Sequence, residues 1–362
     1  MANGMKRVLV TGAGGIGGVN FVRALRASKE KFFIVGTDFN LFYLQFPDVD
    51  VRINSPRHSD PNFIKLLTKL IDENKIDFLH PQPSSEAQVV SKEREMIEAD
   101  IFLPKEEVIA RDKLATQLIL EKIGLPVAKT KTVQSTEMID IAFESFKKDK
   151  LWVRSKSGAG GNLSLLCNNS EEAKLWMNLW VKKGRAKFND FMIQEYLPGR
   201  NLAWDSIWYE GKMIASFTRE RLEYPFKHIS PSGITGTPTV SRIIIDESIN
   251  KLGENAVKAI DPTPHGNYAV DLKDDPNGKP RITEIDAGKF HSTTPLWGYI
   301  STKILQTEPM KNLPYLYLLL GIGEIDPPVL GHDIYPEGLY LLRHIDCGDW
   351  LWRENGYKVQ IL

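Results

Sequence analysis

Residues 269–286 read AVDLKDDPNGKPRITEID, and the fold turns on how this stretch is read. Two short β-prone runs, 268–272 and 280–285, flank Asn277-Gly278, a pair that favours a hairpin turn. Side chains alternate across a strand, so Glu284 and Asp286 share one face. Asp271 comes from the neighbouring antiparallel strand. The hairpin therefore aims three carboxylates at one point, where they repel each other unless a cation stands between them. Hard divalent cations take oxygen ligands. Asp271, Glu284 and Asp286 are thus expected to hold Mg²⁺, with Mn²⁺ as the alternative.

Outward from the hairpin, residues 151–162 read LWVRSKSGAGGN. A strand carries Arg154 inward and runs into a small-residue loop. Backbone amides of such a loop can fold over phosphates because glycine permits close approach. Lys156, Ser157, Gly158, Gly160 and Gly161 are the candidates there, and Arg154 can grip a phosphate with two donors. Upstream, Arg111-Asp112-Lys113 opens a periodic helical stretch that stops at Gly124. Lys113 is a mobile point charge suited to phosphate oxygens. Residues 194–199, QEYLPG, offer extended backbone with paired donors and acceptors for a purine edge. Gln194 and Glu195 begin that segment, Tyr196 and Leu197 supply apolar walls, and Asn201 can reach hydroxyl groups.

Together, residues 111–294 resemble the ATP-grasp ligases, in particular single-module forms similar to the carbamoyl phosphate synthetase large subunit. The resemblance implies an ADP-forming ligase that uses ATP and Mg²⁺, with small-molecule carboxylate and amine substrates. It also implies a Rossmann-like domain in front of a two-lobed ATP-grasp domain. The sequence departs from the pattern at three places. Asp286 stands where the family usually has asparagine, which adds negative charge. Arg200-Asn201 follow the glycine where an acid usually holds the ribose. Gly288 stands where an arginine often stabilises the transferring phosphoryl group. Lys289 or His291 are candidates to replace that arginine, as are Arg219, Arg221 or Arg242 from a neighbouring strand. The expected catalytic set is Arg154, Lys113, Lys289 and Arg219. Residues 232–236, SGITG, look like a mobile loop able to cover substrate.

The first ~105 residues alternate strand and helix signals, which implies a parallel, doubly wound sheet. Strands are expected at 7–11, 32–37 and 76–80, with helical stretches at 19–28 and 63–74. Gly12, Gly14 and Gly17 fit G-x-G-x-x-G, and Asp38 closes the next strand. This dinucleotide fingerprint supports an alternative reading, an NAD-dependent epimerase or reductase. Such enzymes need a Tyr-x-x-x-Lys pair, and Tyr299 with Lys303 falls far too late in the chain. His80 ends the third strand, where open α/β sheets collect ligands. A non-catalytic nucleotide-binding protein is the remaining alternative.

The chain has 362 residues, 42% of them hydrophobic and 25% charged. That length supports two or three compact units: a first domain over 1–110, a lid over 111–190, and a larger unit over 191–362. The fold class is α/β plus α+β. The 46 basic and 46 acidic residues cancel, which argues against a nucleic-acid or membrane-surface binder. Cys167 and Cys347 lie far apart, with neither disulfide-framework nor zinc spacing. No signal-peptide run opens the chain, and the apolar stretch at 316–320 is too short to span a bilayer. A reducing cytoplasm is the expected location, and a homodimer is an expectation.

Overall fold

The computed structural model describes residues 4–158, 161, 163–345 and 347–362. Near the N-terminus, β1 (Lys6–Thr11), β2 (Phe32–Asp38), β3 (Val51–Asn54) and β4 (Phe78–Pro81) form a parallel sheet in the order β3-β2-β1-β4. Parallel pairing needs crossovers, and the helices Ile16–Ala27 and Asn62–Asn74 supply two of them. Alternation along β1 feeds two cores. Val8 and Val10 pack with Phe21 and Leu25 of the first helix, while Leu9 packs with Phe63 and Leu67 of the second.

The helix Ile16–Ala27 begins three residues before the expected 19, despite two glycines in its first turn. Both glycines stand in close contacts, Gly18 with backbone and Gly17 with a side chain. A Cβ on Gly18 would stand 2.4 Å from the Gly12 carbonyl oxygen, and one on Gly17 would stand 2.4 Å from the Gln82 amide. Packing overrides their poor helix propensity.

The second sheet is antiparallel: β5 (Thr130–Thr132), β6 (Leu151–Ser155), β7 (Leu165–Cys167) and β8 (Phe191–Glu195), in the order β5-β8-β6-β7. The helices Thr136–Phe146 and Ser170–Lys182 help close its core around Leu151, Val153, Met177 and Ile193. Trp152 and Arg154 alternate to the opposite face.

The third sheet contains β9 (Asn201–Tyr209), β10 (Lys212–Glu223), β11 (Val240–Ile244), β12 (Gly266–Asp274), β13 (Pro280–Ala287), β14 (Tyr340–His344), β15 (Gly348–Trp352) and β16 (Lys358–Gln360). Its order is β13-β12-β9-β10-β11-β14-β15-β16, and neighbouring strands run antiparallel. The amphipathic helix Glu247–Ile260 covers one face against Trp204, Trp208 and Val270.

The parallel sheet does not keep a core to itself. Val8, Val10 and Phe21 belong to one apolar cluster with Phe217, Trp297 and Leu341 from the C-terminal half. The helix Leu313–Gly321 joins them, and Leu313, Leu316 and Leu318 are fully buried. Its all-round apolar sequence marks a helix packed on several sides. Among the described residues no helix is long and apolar enough to cross a membrane.

Candidate active site

The hairpin forms as expected, but with one irregularity that decides its chemistry. From Asp274↔Pro280 to Leu272↔Ile282 the pairing is regular, and then Asp271 pairs with Glu284. Thr283 is the extra residue of a β-bulge, and its hydroxyl donates to the Asp271 carbonyl at 3.1 Å. In an unbroken register Asp271 would face Thr283, and Glu284 would turn to the other side of the sheet. The bulge puts Asp271, Thr283, Glu284 and Asp286 on the wall of one cavity of about 410 Å³. That cavity lies between the second and third sheets and reaches Gly17 and Gln82 of the first.

The three acids are not uncompensated, which corrects the premise of the sequence reading. Glu284 pairs with Arg154 at 2.7 Å and with Lys113 at 2.9 Å. Asp271 pairs with Arg221 at 2.7 Å. Asp286 meets Lys289 and His291, each at 3.2 Å. Among the described residues no group of three or more His, Cys, Asp or Glu is arranged to hold a metal ion. Each carboxylate is turned to at least one cation, and His291 lies near both Asp271 and Asp286. Burial pushes the Asp271 carboxyl upward, but Arg221 and His291 outweigh it and hold the group below the usual range. Burial lowers His291, yet the carboxylates of Asp205, Asp271 and Asp286 reverse that effect and raise it to about 9.

Behind the wall, Asp205 on β9 and Arg219 on β10 form a fully buried pair at 2.7 Å. Thr294 donates to Asp205 at 2.8 Å. His291 Nδ1 lies 3.1 Å from Asp205, which leaves Nε2 aimed at Asp286. Arg219 was expected among the catalytic cations, and here the structure differs. It is 1% exposed and off the cavity wall, locked to Asp205, while Arg221 stands on the wall instead. Arg242 pairs with Glu220, away from the wall.

No protein-family model matches the sequence, and the comparison with curated proteins gives no match. Solved structures do match. The biotin carboxylase domain dimer of Hydrogenobacter thermophilus 2-oxoglutarate carboxylase, in complex with MgADP, ADP and bicarbonate, superposes with a TM-score of 0.68 at 15% identity. The match covers 94% of this chain and 74% of that one. N5-carboxyaminoimidazole synthetase from Staphylococcus aureus complexed with ADP gives 0.65 at 16% identity, over 93% and 82%. L-amino acid ligase from Bacillus licheniformis gives 0.62 at 14%, over 94% and 79%. The chain has the ATP-grasp fold.

Within the ATP-grasp fold the remaining candidates separate into those on the wall and those behind it. Gln194, Glu195, Tyr196, Leu197 and Asn201 all line the cavity. Gln194 is fixed by its amide, which donates to Gln117 at 3.0 Å and to Thr130 at 2.9 Å. The Glu195 carboxylate accepts from the Lys129 backbone N–H at 2.9 Å. Asn201 donates to the Tyr224 hydroxyl at 3.0 Å. Asp112 caps the helix Lys113–Lys122 by accepting from Ala115 N–H, so Lys113 sits at its first turn. The Lys113 backbone N–H donates to the Lys156 carbonyl at 3.0 Å, tying that helix start to the glycine loop. Lys156 contributes backbone there, and its side chain is not on the wall. Ser157 and Gly158 are exposed, and Gly160 lies outside the described residues. Gly161, at φ +73°, lines the cavity and lies against Ile234: a Cβ there would stand 3.2 Å from the Ile234 carbonyl oxygen. The loop expected at 232–236 therefore reaches the glycine loop, and Ile234 and Gly236 line the cavity.

The N-terminal glycine fingerprint is closely approached by other parts of the chain. A Cβ on Gly14 would stand 2.4 Å from the Tyr43 backbone, so the segment around Tyr43 fills the space beside the loop. Asp38 is buried and accepts from the backbone N–H groups of Gly14 (3.0 Å) and Asn40 (2.8 Å), so its carboxylate ties the glycine loop to the end of β2. His80 is fully buried and stacks on Phe21, with ring centroids 3.8 Å apart. Burial lowers its pKa to about 4, so it stays neutral. Tyr299 and Lys303 lie on the helix Thr294–Lys303 and do not line the cavity.

Sequence reasoning missed Asp205, Trp152, Tyr224, Gln82 and Thr237. For Asp205 a signal was present: it is the one charged residue in a largely apolar strand, NLAWDSIWY.

Proposed function

We propose that the chain is an ATP- and Mg²⁺-dependent ligase that activates a carboxylate as its acylphosphate and transfers the acyl group to an amine or similar nucleophile. One observation carries this reading: Asp271, Glu284 and Asp286 share a cavity wall with Arg154, Arg221, Lys289 and His291. An all-oxygen donor set suits a hard cation, and the guanidinium and ammonium groups beside it suit phosphate. The MgADP, ADP and bicarbonate of the relatives in fold, and the activity in one relative's name, agree with it.

In this reading residues 1–110 bound the substrate end, 111–190 act as the lid and 191–362 as the base. Tyr196 and Leu197 wall the purine, Gln194 and Glu195 shape the strand end beside it, and Asn201 meets the ribose. Arg154 and Lys113 exchange Glu284 for phosphate oxygens when ATP enters, and that exchange frees Glu284. Lys156, Ser157, Gly158, Gly160 and Gly161 close over the phosphates. Asp271, Glu284 and Asp286 would hold Mg²⁺, which supplies charge neutralisation at the transferring phosphoryl group. Lys289 and His291 supply positive charge where Gly288 has no side chain, and Asp205 keeps the His291 ring oriented. Ile234 against Gly161 shields the reaction from water. Cys167 and Cys347 are both free, which suits a reducing cytoplasm.

The test is ADP release over pooled carboxylates and amines, with thermal stabilisation by Mg²⁺-ATP measured beside it. The wild type turns over, and Glu284→Gln loses on the order of 100-fold or more in rate. A wild type stabilised by NAD but not by ATP sinks the reading. So does a Glu284→Gln variant as fast as the wild type.

A further inference from the structure

Residues 39–47 read FNLFYLQFP, without a charged residue. The segment follows β2 and turns through a short 3-10 helix, Tyr43–Gln45. Its apolar side chains point outward. Phe39, Leu41, Phe42, Tyr43 and Phe46 are 46% to 81% exposed, and Ile16 beside the glycine loop is 51% exposed. Leu44, at 1% exposure, and Pro47 turn inward and anchor the segment. Large apolar side chains offer about 200 Å² each, so the patch exposes roughly 700 Å². That is above the ~300–600 Å² of the largest patch on a typical monomer and close to the ~800 Å² each partner contributes to a stable interface.

We infer that this segment is the docking surface for a second copy of the chain. Three features favour a copy over another occupant. The exposed area matches one half of a standard interface. The core is aromatic and uncharged, the composition that marks interface centres. The rim carries both signs: the Arg57 guanidinium lies 4.0 Å above the Phe39 ring, and Asp48, next to the segment, is 81% exposed. A patch with both signs at its edge can be its own complement, as a two-fold contact requires.

The segment is also held rigid before any partner arrives. Asn40 accepts from the Phe42 and Tyr43 backbone N–H groups at 3.0 and 3.2 Å. Gly14 sits so close to the Tyr43 backbone that no Cβ fits between them. Little ordering entropy is lost on docking. The contact also reaches the active site through the chain, because Gly14 leads in three residues to Gly17 on the cavity wall.

Sedimentation of the full chain over a concentration series reads the mass directly and does not depend on any ATP reaction. The wild type sediments at twice 41.0 kDa. Phe42→Glu and Phe46→Glu, each checked for a native melting profile, raise the dimer dissociation constant about thirtyfold or more. Phe226→Glu, at an exposed apolar position on another loop, leaves it unchanged. A wild type that stays monomeric at tens of micromolar overturns the proposal. So does a dimer that survives both loop substitutions. A monomer whose Phe42→Glu variant binds an apolar acceptor more weakly also overturns it and assigns the patch to substrate.

Discussion

Glu86 sits in the first turn of the helix Ser84–Lys92 and is buried under the glycine loop. Burial, helped by the Asp38 charge and opposed by the Thr11 hydroxyl, raises its pKa from 4.5 to about 7. A carboxyl raised in the fold binds its proton more tightly there than in the unfolded chain. Its contribution is therefore complete below pH 4.5 and is lost as the pH rises through about 7. In urea unfolding, the wild type loses on the order of 2–3 kcal/mol between pH 4.5 and pH 8 that Glu86→Gln does not lose. Equal pH slopes for the two proteins would refute this. His291 shows the opposite balance at the same scale. Burial works against its charge, and three carboxylates win. Neither outcome follows from residue type, because each depends on which groups the fold brings within a few ångströms.

At the scale of single elements, the hairpin and the glycine loop show how one residue sets a geometry. Ile282 packs within the core behind the sheet and Ile285 packs against it, although they are three positions apart. Strict alternation forbids that spacing, and the bulge at Thr283 resolves it. The sequence I-T-E-I thus carries a trace of the bulge, legible once the rear face is known to be apolar. The glycine loop fails differently. Its spacing fits a pyrophosphate-binding turn, yet the same backbone freedom is used to let the Tyr43 segment approach. Gly14→Ala forces that segment outward and costs about 1–3 kcal/mol, read as a lower urea midpoint. NAD at millimolar concentration leaves the melting temperature unchanged. An Ala variant as stable as the wild type would mean that the space is open after all.

Across the whole molecule, the apolar cluster that joins β1 to the C-terminal half is expected to make the two unfold as one. Leu316 is fully buried within it. Leu316→Ala is expected to cost about 2–5 kcal/mol, with the parallel sheet and the third sheet melting in one calorimetric transition. Two resolved transitions, with only one shifted, would count against a shared core. Local signals on the sequence were enough for the strand and helix alternation of the first ~105 residues, the hairpin turn, the cation before the glycine loop and the strand end at 194–197 that lines the cavity. Periodicity and turn chemistry act over a few residues, so they survive without the fold. Short or mixed elements escaped: β3 and β11, and the helices Ser84–Lys92, Ser170–Lys182 and Thr294–Lys303, whose faces are defined by distant partners. What the sequence by itself determined was which residue types meet at the cavity, because three acids on two strands and a cation beside glycines are local patterns. Only the tertiary structure decided which face Asp271 takes, that Arg219 stands behind the wall and Arg221 on it, and that the first glycine loop is filled by its own chain. Those depend on register and on packing between segments far apart in the chain, and a one-residue shift in pairing moves a side chain to the other side of a sheet.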